Sequence, residues 1–191
     1  MNPNPVACAA FLIAAFVLAG AAQTAWFTSP RARAFAAPLD GGMTFRGRRI
    51  FGEHKTLRGF VVIVPAAACA FAGLSVAAGN ATPRFLWAIS PSEYAALGAW
   101  SALGFMAGEL PNSFVKRQLG IAPGGVVSYG PGAFFQFIVD RIDSGIGMLA
   151  ALSVAVPTPA LTWALVLLAG APVHWGFSVL MHQLGLKERA A

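Results

Sequence analysis

The sequence predicts an all-α, polytopic integral membrane protein with about five transmembrane helices. Three observations carry that reading. Apolar residues fill 57% of the 191 positions and charged residues only 10%, against about a quarter charged in an ordinary soluble domain. Mean hydropathy is +0.67. The few charges are gathered into particular stretches rather than spread over a solvated surface. Such a composition excludes a disordered chain and argues against a soluble globular enzyme. The length suits one domain over residues 1–191 rather than two.

A spanning helix needs roughly 20 mainly apolar residues, each adding about 1.5 Å across a core of about 30 Å. Five stretches meet or approach this, at about 5–26, 59–79, 94–110, 133–156 and 160–182. The first basic residue is Arg31, so the first stretch lacks a signal-peptide flank and reads as a retained span. The third is short and is expected to end at Pro111. The fourth carries Asp140, Arg141 and Asp143. Pro65 and Pro172 fall inside spans and should kink them. Trp26, Trp87 and Trp100 lie near expected interfaces, which suits aromatic anchoring. Cys8 and Cys69 sit in apolar runs and read as small buried hydrophobes. No Cys/His cluster suggests zinc.

The loops sort by charge. The first, over 27–58, holds Arg31, Arg33, Arg46, Arg48, Arg49, Lys55 and Arg58. The third holds Lys116 and Arg117, and the C-terminal tail Lys187 and Arg189, whereas the second holds only Arg84. The excess of basic residues on one side places the N-terminus outside and the C-terminus in the cytoplasm. The net charge of +6 then suits anionic headgroups better than a nucleic acid.

Three constellations could carry chemistry. Asp140 and Asp143 are spaced i, i+3, so both carboxylates share one helix face. Bare in hydrocarbon, each would be costly, and the pair invites a divalent cation such as Mg²⁺, commonly held by one or two carboxylates with phosphates and water. A structural ion pair with Arg141, or a charged helix end among headgroups, would explain them as well. In the third loop, Asn112, Ser113 and Lys116 fall on one side of a short helix expected after Pro111. Amide, hydroxyl and ammonium together suit phosphate oxygens, though an ordinary cytoplasmic turn would look similar. Pro123-Gly124-Gly125 and Gly130-Pro131-Gly132 break the chain around it. The first loop is too long for a mere connector, is rich in glycine and arginine, and lacks P-loop spacing. A headgroup-binding patch is its alternative. His174 and His182 in the last span read as packing or interfacial residues.

Taken in order, Ser113-Phe114-Val115-Lys116-Arg117, Pro123-Gly124 and Asp140-Arg141-Ile142-Asp143-Ser144 resemble the signature of membrane phosphatidate cytidylyltransferases. The likeness is closer to their small five-span relatives, the CDP-archaeol synthases. These also carry a first loop similar to Pro38-Leu39-Asp40, Phe45, Gly47-Arg48-Arg49-Ile50-Phe51-Gly52 and Lys55-Thr56-Leu57-Arg58-Gly59, and a stretch similar to Glu109 through Arg117. The resemblance covers about residues 38–147 and departs at His54, where a smaller residue is expected.

The resemblance implies Mg²⁺-dependent transfer of CMP from CTP to a membrane lipid phosphate, giving a CDP-lipid and pyrophosphate, on cytoplasmic catalytic loops. Asp140 and Asp143 would hold the metal, with Glu109 as a further ligand or as the partner of a loop arginine. Lys116 joins the aspartates as catalytic. Asn112, Ser113, Arg117 and Ser144, with Arg48, Arg49, Lys55, Thr56 and Arg58 of the first loop, would bind substrate. The implied partners are CTP, a lipid phosphate in the inner leaflet and the membrane, without nucleic acid, and the implied membrane is a plasma membrane. Small size favours a homodimer. A phosphate monoester is largely dianionic at neutral pH and needs no general base, which agrees with the lack of a catalytic histidine candidate. Phosphatidate is the alternative acceptor. A transporter or scaffold would call for mid-membrane charges and repeated halves, and neither is visible.

Overall fold

The computed structural model describes residues 3–79, 82–123, 125 and 131–186, with backbone alone at Arg33, Ala34, Thr82, Pro83 and Pro131. Gly124, Gly130, Lys187 and Arg189, singled out above, lie outside the described residues. Five long helices form the described bundle: α1 (Pro5–Phe27), α2 (Leu57–Ala78), α4 (Pro91–Gln118), α5 (Pro131–Ala155) and α6 (Ala160–Gln183). A single turn, α3 (Thr82–Phe85), precedes α4. The all-α expectation misses one small ribbon in the first loop, β1 (Thr44–Phe45) paired antiparallel with β2 (Arg48–Arg49).

Helix starts follow local chemistry. Asn4 caps α1 by accepting from the Val6 and Ala7 amides, each at 3.0 Å. Ser90 and Glu93 form a reciprocal capping box around Pro91 at the start of α4. The third stretch differs from expectation at its far end. Rather than stopping at Pro111, α4 runs on to Gln118 with Pro111 inside it. The proline removes only one intrahelical donor, and neighbouring elements hold the last two turns in place.

Of the five long helices, α1, α2 and α6 are long and apolar enough to cross a membrane by composition alone. α4 and α5 carry the charges that lower their hydropathy. These two pack closely on each other. A Cβ added at Gly108 would lie 2.5 Å from the Asp143 carbonyl oxygen, and one at Gly147 would lie 2.6 Å from the Gly108 Cα. Gly98 similarly lets α4 meet α2: a Cβ added there would lie 2.5 Å from the Ala67 carbonyl oxygen. Lipid is as apolar as the side chains it contacts, so close backbone approach through small residues is what holds such helices together.

The apolar core fills one end of the bundle. Phe11 of α1 meets Phe71 of α2 edge-on, with centroids 5.2 Å apart, beside Tyr94, Leu149 and Leu152. Trp87 belongs to this core, donating Nε1 to the Pro157 carbonyl at 2.9 Å. It is therefore buried, and the interfacial expectation is corrected. Trp100 stays half-exposed, as an anchor would. Cys8 is buried as expected, but Cys69 is exposed on α2. Large apolar residues such as Val154, Leu168 and Phe134 are 70–81% exposed, as a lipid-facing surface requires. The opposite end of the bundle is polar and holds the site.

Candidate active site

The site forms where the end of α4 crosses the beginning of α5. On α4, Glu109, Asn112 and Lys116 fall at i, i+3 and i+7 and share one face. Gln136, Asp140, Asp143 and Ser144 share a face of α5. Because Gly108 and Gly147 bring the backbones together, these faces meet. The Asn112 amide nitrogen donates to Asp140 Oδ1 at 2.6 Å and to Asp143 Oδ2 at 2.8 Å. The Lys116 ammonium pairs with the same Asp140 oxygen at 2.5 Å. Gln136 reaches Asp140 Oδ2 at 3.5 Å. Two carboxylates from one helix thus converge on an amide and a cation from the other.

A second cluster adjoins the first. Glu109 forms an ion pair with Lys55 of the first loop and accepts from the Ser144 hydroxyl at 2.8 Å. The Ser144 amide donates to Asp143 Oδ1 at 2.7 Å, which links the clusters. Burial alone would lower the Lys55 pKa, but Glu109 and the two aspartates outweigh it and raise it. Of the two roles expected for Glu109, the structure shows pairing with the loop, through a lysine rather than an arginine. His174 of α6 lies within electrostatic reach of Glu109, so it has an acidic neighbour that its sequence context does not reveal.

The first loop folds over this end of the bundle as a cap. Its keystone is Asp40, whose carboxylate is buried and pairs with Arg49. Asp40 also accepts from the amides of Gly42, Phe51 and Gly52 at 3.1, 3.1 and 3.0 Å. The Arg49 guanidinium first, and these amides with it, hold the Asp40 carboxyl well below the ordinary carboxylate range against the opposing effect of burial. Arg46 and Gly47 both have positive φ, 53° and 75°, as the tight I′ turn between β1 and β2 demands. The cap docks on the end of α4. Arg48 donates to the Gln118 carbonyl, Phe45 meets the Phe114 ring at 5.8 Å, and Gly52 lies against the Arg117 side chain. Backbone bonds from Leu39 to Lys55 and from Leu57 to Ala37, at 2.8 and 3.0 Å, close its base.

Not every candidate lands beside the aspartates. Asn112, Lys116 and Ser144 meet them directly, and Lys55 joins through Glu109. Arg49 is committed to Asp40, and Arg48 to the α4 terminus. The Arg58 guanidinium lies over the Phe27 ring, 4.9 Å from its centroid. Thr56 is the N-cap of α2. Arg117 is buried beneath the cap, donating to the Ala122 carbonyl at 3.1 Å, and Ser113 is buried in α4. In the structure Arg49, Arg58 and Thr56 are thus engaged with Asp40, with Phe27 and at the start of α2, away from the aspartate pair. Asp40, named only within the resemblance, and Gln136 were given no role from the sequence. Gln136 could have been found from its i, i+4 spacing to Asp140, and Asp40 from the Gly41-Gly42 pair that follows it.

Comparison with known proteins addresses the family and the fold. The CarS-like CDP-archaeol synthase family matches residues 28–190. A CDP-archaeol synthase of Pyrococcus furiosus is 30% identical over 168 residues, covering 84% of this chain and 87% of that protein. One of Halobacterium salinarum is 36% identical over 123 residues, covering 63% and 61%. A solved intramembrane enzyme for archaeal membrane lipid biosynthesis superposes with a TM-score of 0.59 at 25% identity, covering 87% of this chain and 89% of that one. With most of its length matched, this chain belongs to the CDP-archaeol synthase family and is a multi-span membrane enzyme of CDP-lipid synthesis.

Proposed function

We propose that the enzyme transfers CMP from CTP to an isoprenoid ether-lipid phosphate, giving a CDP-lipid and pyrophosphate. The observation that carries this reading is the convergence of Asp140 and Asp143 on Asn112 and Lys116 at the polar end of the bundle. An acceptor phosphate oxygen forms a bond to the α-phosphorus of CTP. The bond from that phosphorus to the α–β bridging oxygen breaks, and pyrophosphate leaves. The attacking phosphate is already largely dianionic, so the task of the protein is to gather polyanions and balance their charge.

The donor set fits Mg²⁺. Two carboxylate oxygens face one amide nitrogen at 2.6 and 2.8 Å, and turning that amide would offer its carbonyl oxygen instead. One or two carboxylates completed by substrate phosphates and water are a common donor set for Mg²⁺. Bound by Asp140 and Asp143, Mg²⁺ would supply charge neutralisation for the phosphates. Lys116 would leave Asp140 and turn to a phosphate oxygen. Lys55, held near the site by Glu109, would add a second ammonium. Asn112 would orient both carboxylates, and Arg48 would keep the cap seated. The basic cap and the site share one end of the bundle, which supports placing that end and the C-terminus in the cytoplasm, within reach of CTP, and the N-terminus outside.

The test is pyrophosphate release by purified protein with CTP, Mg²⁺ and a panel of lipid phosphates, with ATP, GTP and UTP as controls. Release with CTP and an isoprenoid ether phosphate is expected. Equal release with phosphatidate would move the acceptor assignment. No release with any lipid phosphate, from protein shown to be folded, would sink the reading.

A further inference from the structure

Arg141 is the one basic residue inside the fourth predicted span, and no role for it has emerged above. It follows Asp140 on α5, and an adjacent helical residue is turned about 100° around the axis. The polar face of Gln136, Asp140, Asp143 and Ser144 looks toward α4, so Arg141 leaves that face. On its own side lie Ile138 and Phe137 one turn back and Phe134 two turns back, 38%, 49% and 70% exposed. In a bilayer that exposure is lipid contact. Arg141 stands about 15 Å along α5 from its start, at the level of Asp140.

An arginine so placed is expensive unless an anion meets it. Among the described residues no carboxylate forms an ion pair with it. Its guanidinium instead lies over the Phe137 ring, 3.5 Å from the centroid. Nη1 donates to the Phe137 carbonyl at 3.0 Å. Nε is buried and has no hydrogen-bond partner among the described residues. A guanidinium lying on an aromatic surface therefore stands at the outer flank of the aspartate pair, with Nη1 engaged to its own helix, Nε covered and the neighbouring Asp140 charge acting on it. A guanidinium fork matches two oxygens of a phosphate.

We propose that Arg141 binds the phosphate monoester of the acceptor lipid as it approaches from the bilayer, with Phe134, Phe137 and Ile138 against its chains. This rests on the reading that the acceptor is a lipid phosphate. The nucleotide comes from water, on the side where Lys55, Lys116 and Arg48 stand, whereas Arg141 is turned around α5 from them. The acceptor alone combines a dianion with hydrocarbon, and those are the two chemistries that Arg141 and its neighbours offer.

The test compares wild type with Arg141→Met and Arg141→Lys in neutral-lipid nanodiscs. Arg141→Met should raise the KM for an isoprenoid ether phosphate by about 10- to 100-fold, the range for losing charged hydrogen bonds. The KM for CTP should stay the same, and Arg141→Lys should fall between. A parallel rise in the KM for CTP, or no change in either, would overturn the proposal; the second result would mark a mere headgroup anchor. Binding without CTP is measured by native mass spectrometry, with the lipid phosphate against its dephosphorylated alcohol. Wild type should prefer the phosphate and Arg141→Met should lose that preference; a preference retained by Arg141→Met overturns the proposal. This arm needs no turnover, so it decides on Arg141 even if the transfer reaction itself proves wrong.

Discussion

Asn112 shows how one side chain can organise a site. Its single amide spans both aspartates, so Asn112→Ala should free them to repel each other. With the aspartates holding Mg²⁺ as proposed, we expect turnover to fall by about 10- to 100-fold with folding retained, the range for residues that orient metal ligands. Steady-state rates beside a thermal unfolding curve check this, and full activity in the variant would refute the role. Lys116 makes a different prediction, because it pairs with the oxygen that a cation would need. Lys116→Met should bind Mn²⁺ more tightly than wild type in the absence of nucleotide, yet turn over more slowly. Titration followed by electron paramagnetic resonance reads the first effect directly. Asp40 sets a pH dependence. Its folded pKa is depressed, so its contribution is fully present above the ordinary carboxylate value near pH 4 and is lost only as pH falls through the lower folded value. The cap should resist limited proteolysis down to about pH 4, and Asp40→Asn should be cleaved there at every pH. Wild-type cleavage that sets in between about pH 5 and 4 would contradict this.

Between elements, the crossing of α4 and α5 decides whether these residues meet at all. Gly108 has no room for a methyl group beside the Asp143 carbonyl, whereas Gly73 on α2 has nothing within 4 Å. Gly108→Ala should destabilise by about 1–3 kcal/mol through overpacking and should cost activity by drawing Asn112 away from Asp140. Gly73→Ala should be neutral in both respects. Thermal unfolding and turnover of the two variants in the same detergent would show the contrast, and equal effects would argue against the crossing as the organising contact. Helix positions were legible in the sequence to within a few residues, because long apolar runs have few alternatives in lipid. The end of α4 was not. Pro111 reads as a stop from local geometry, but the docked cap, with Arg48 on the Gln118 carbonyl and Phe45 on Phe114, supports two more turns. Asn112 and Lys116 sit on those turns.

Across the whole molecule, the apolar core and the polar site occupy opposite ends of the bundle. That polarity predicts topology. In a background lacking Cys8 and Cys69, Ser90→Cys and Thr158→Cys should react with an impermeant thiol reagent from outside the cell. Met43→Cys should react only after permeabilisation. The reverse pattern would invert the orientation and place the site away from CTP.

Composition and hydropathy by themselves establish membrane residence and the approximate helices, and the spacing of Asp140 and Asp143 puts two carboxylates on one face. These are local or additive properties, set by neighbours in the chain and by the solvent. Which cations meet those carboxylates depends on contacts between residues far apart in sequence. Lys55 could equally have faced headgroups, and Arg49 and Arg58 look no different from it as letters. Only the folded cap shows that Arg49 closes on Asp40, that Arg58 lies over Phe27 and that Lys55 reaches Glu109. A charge takes its role from the partner that packing brings to it, and packing is a property of the assembled helices.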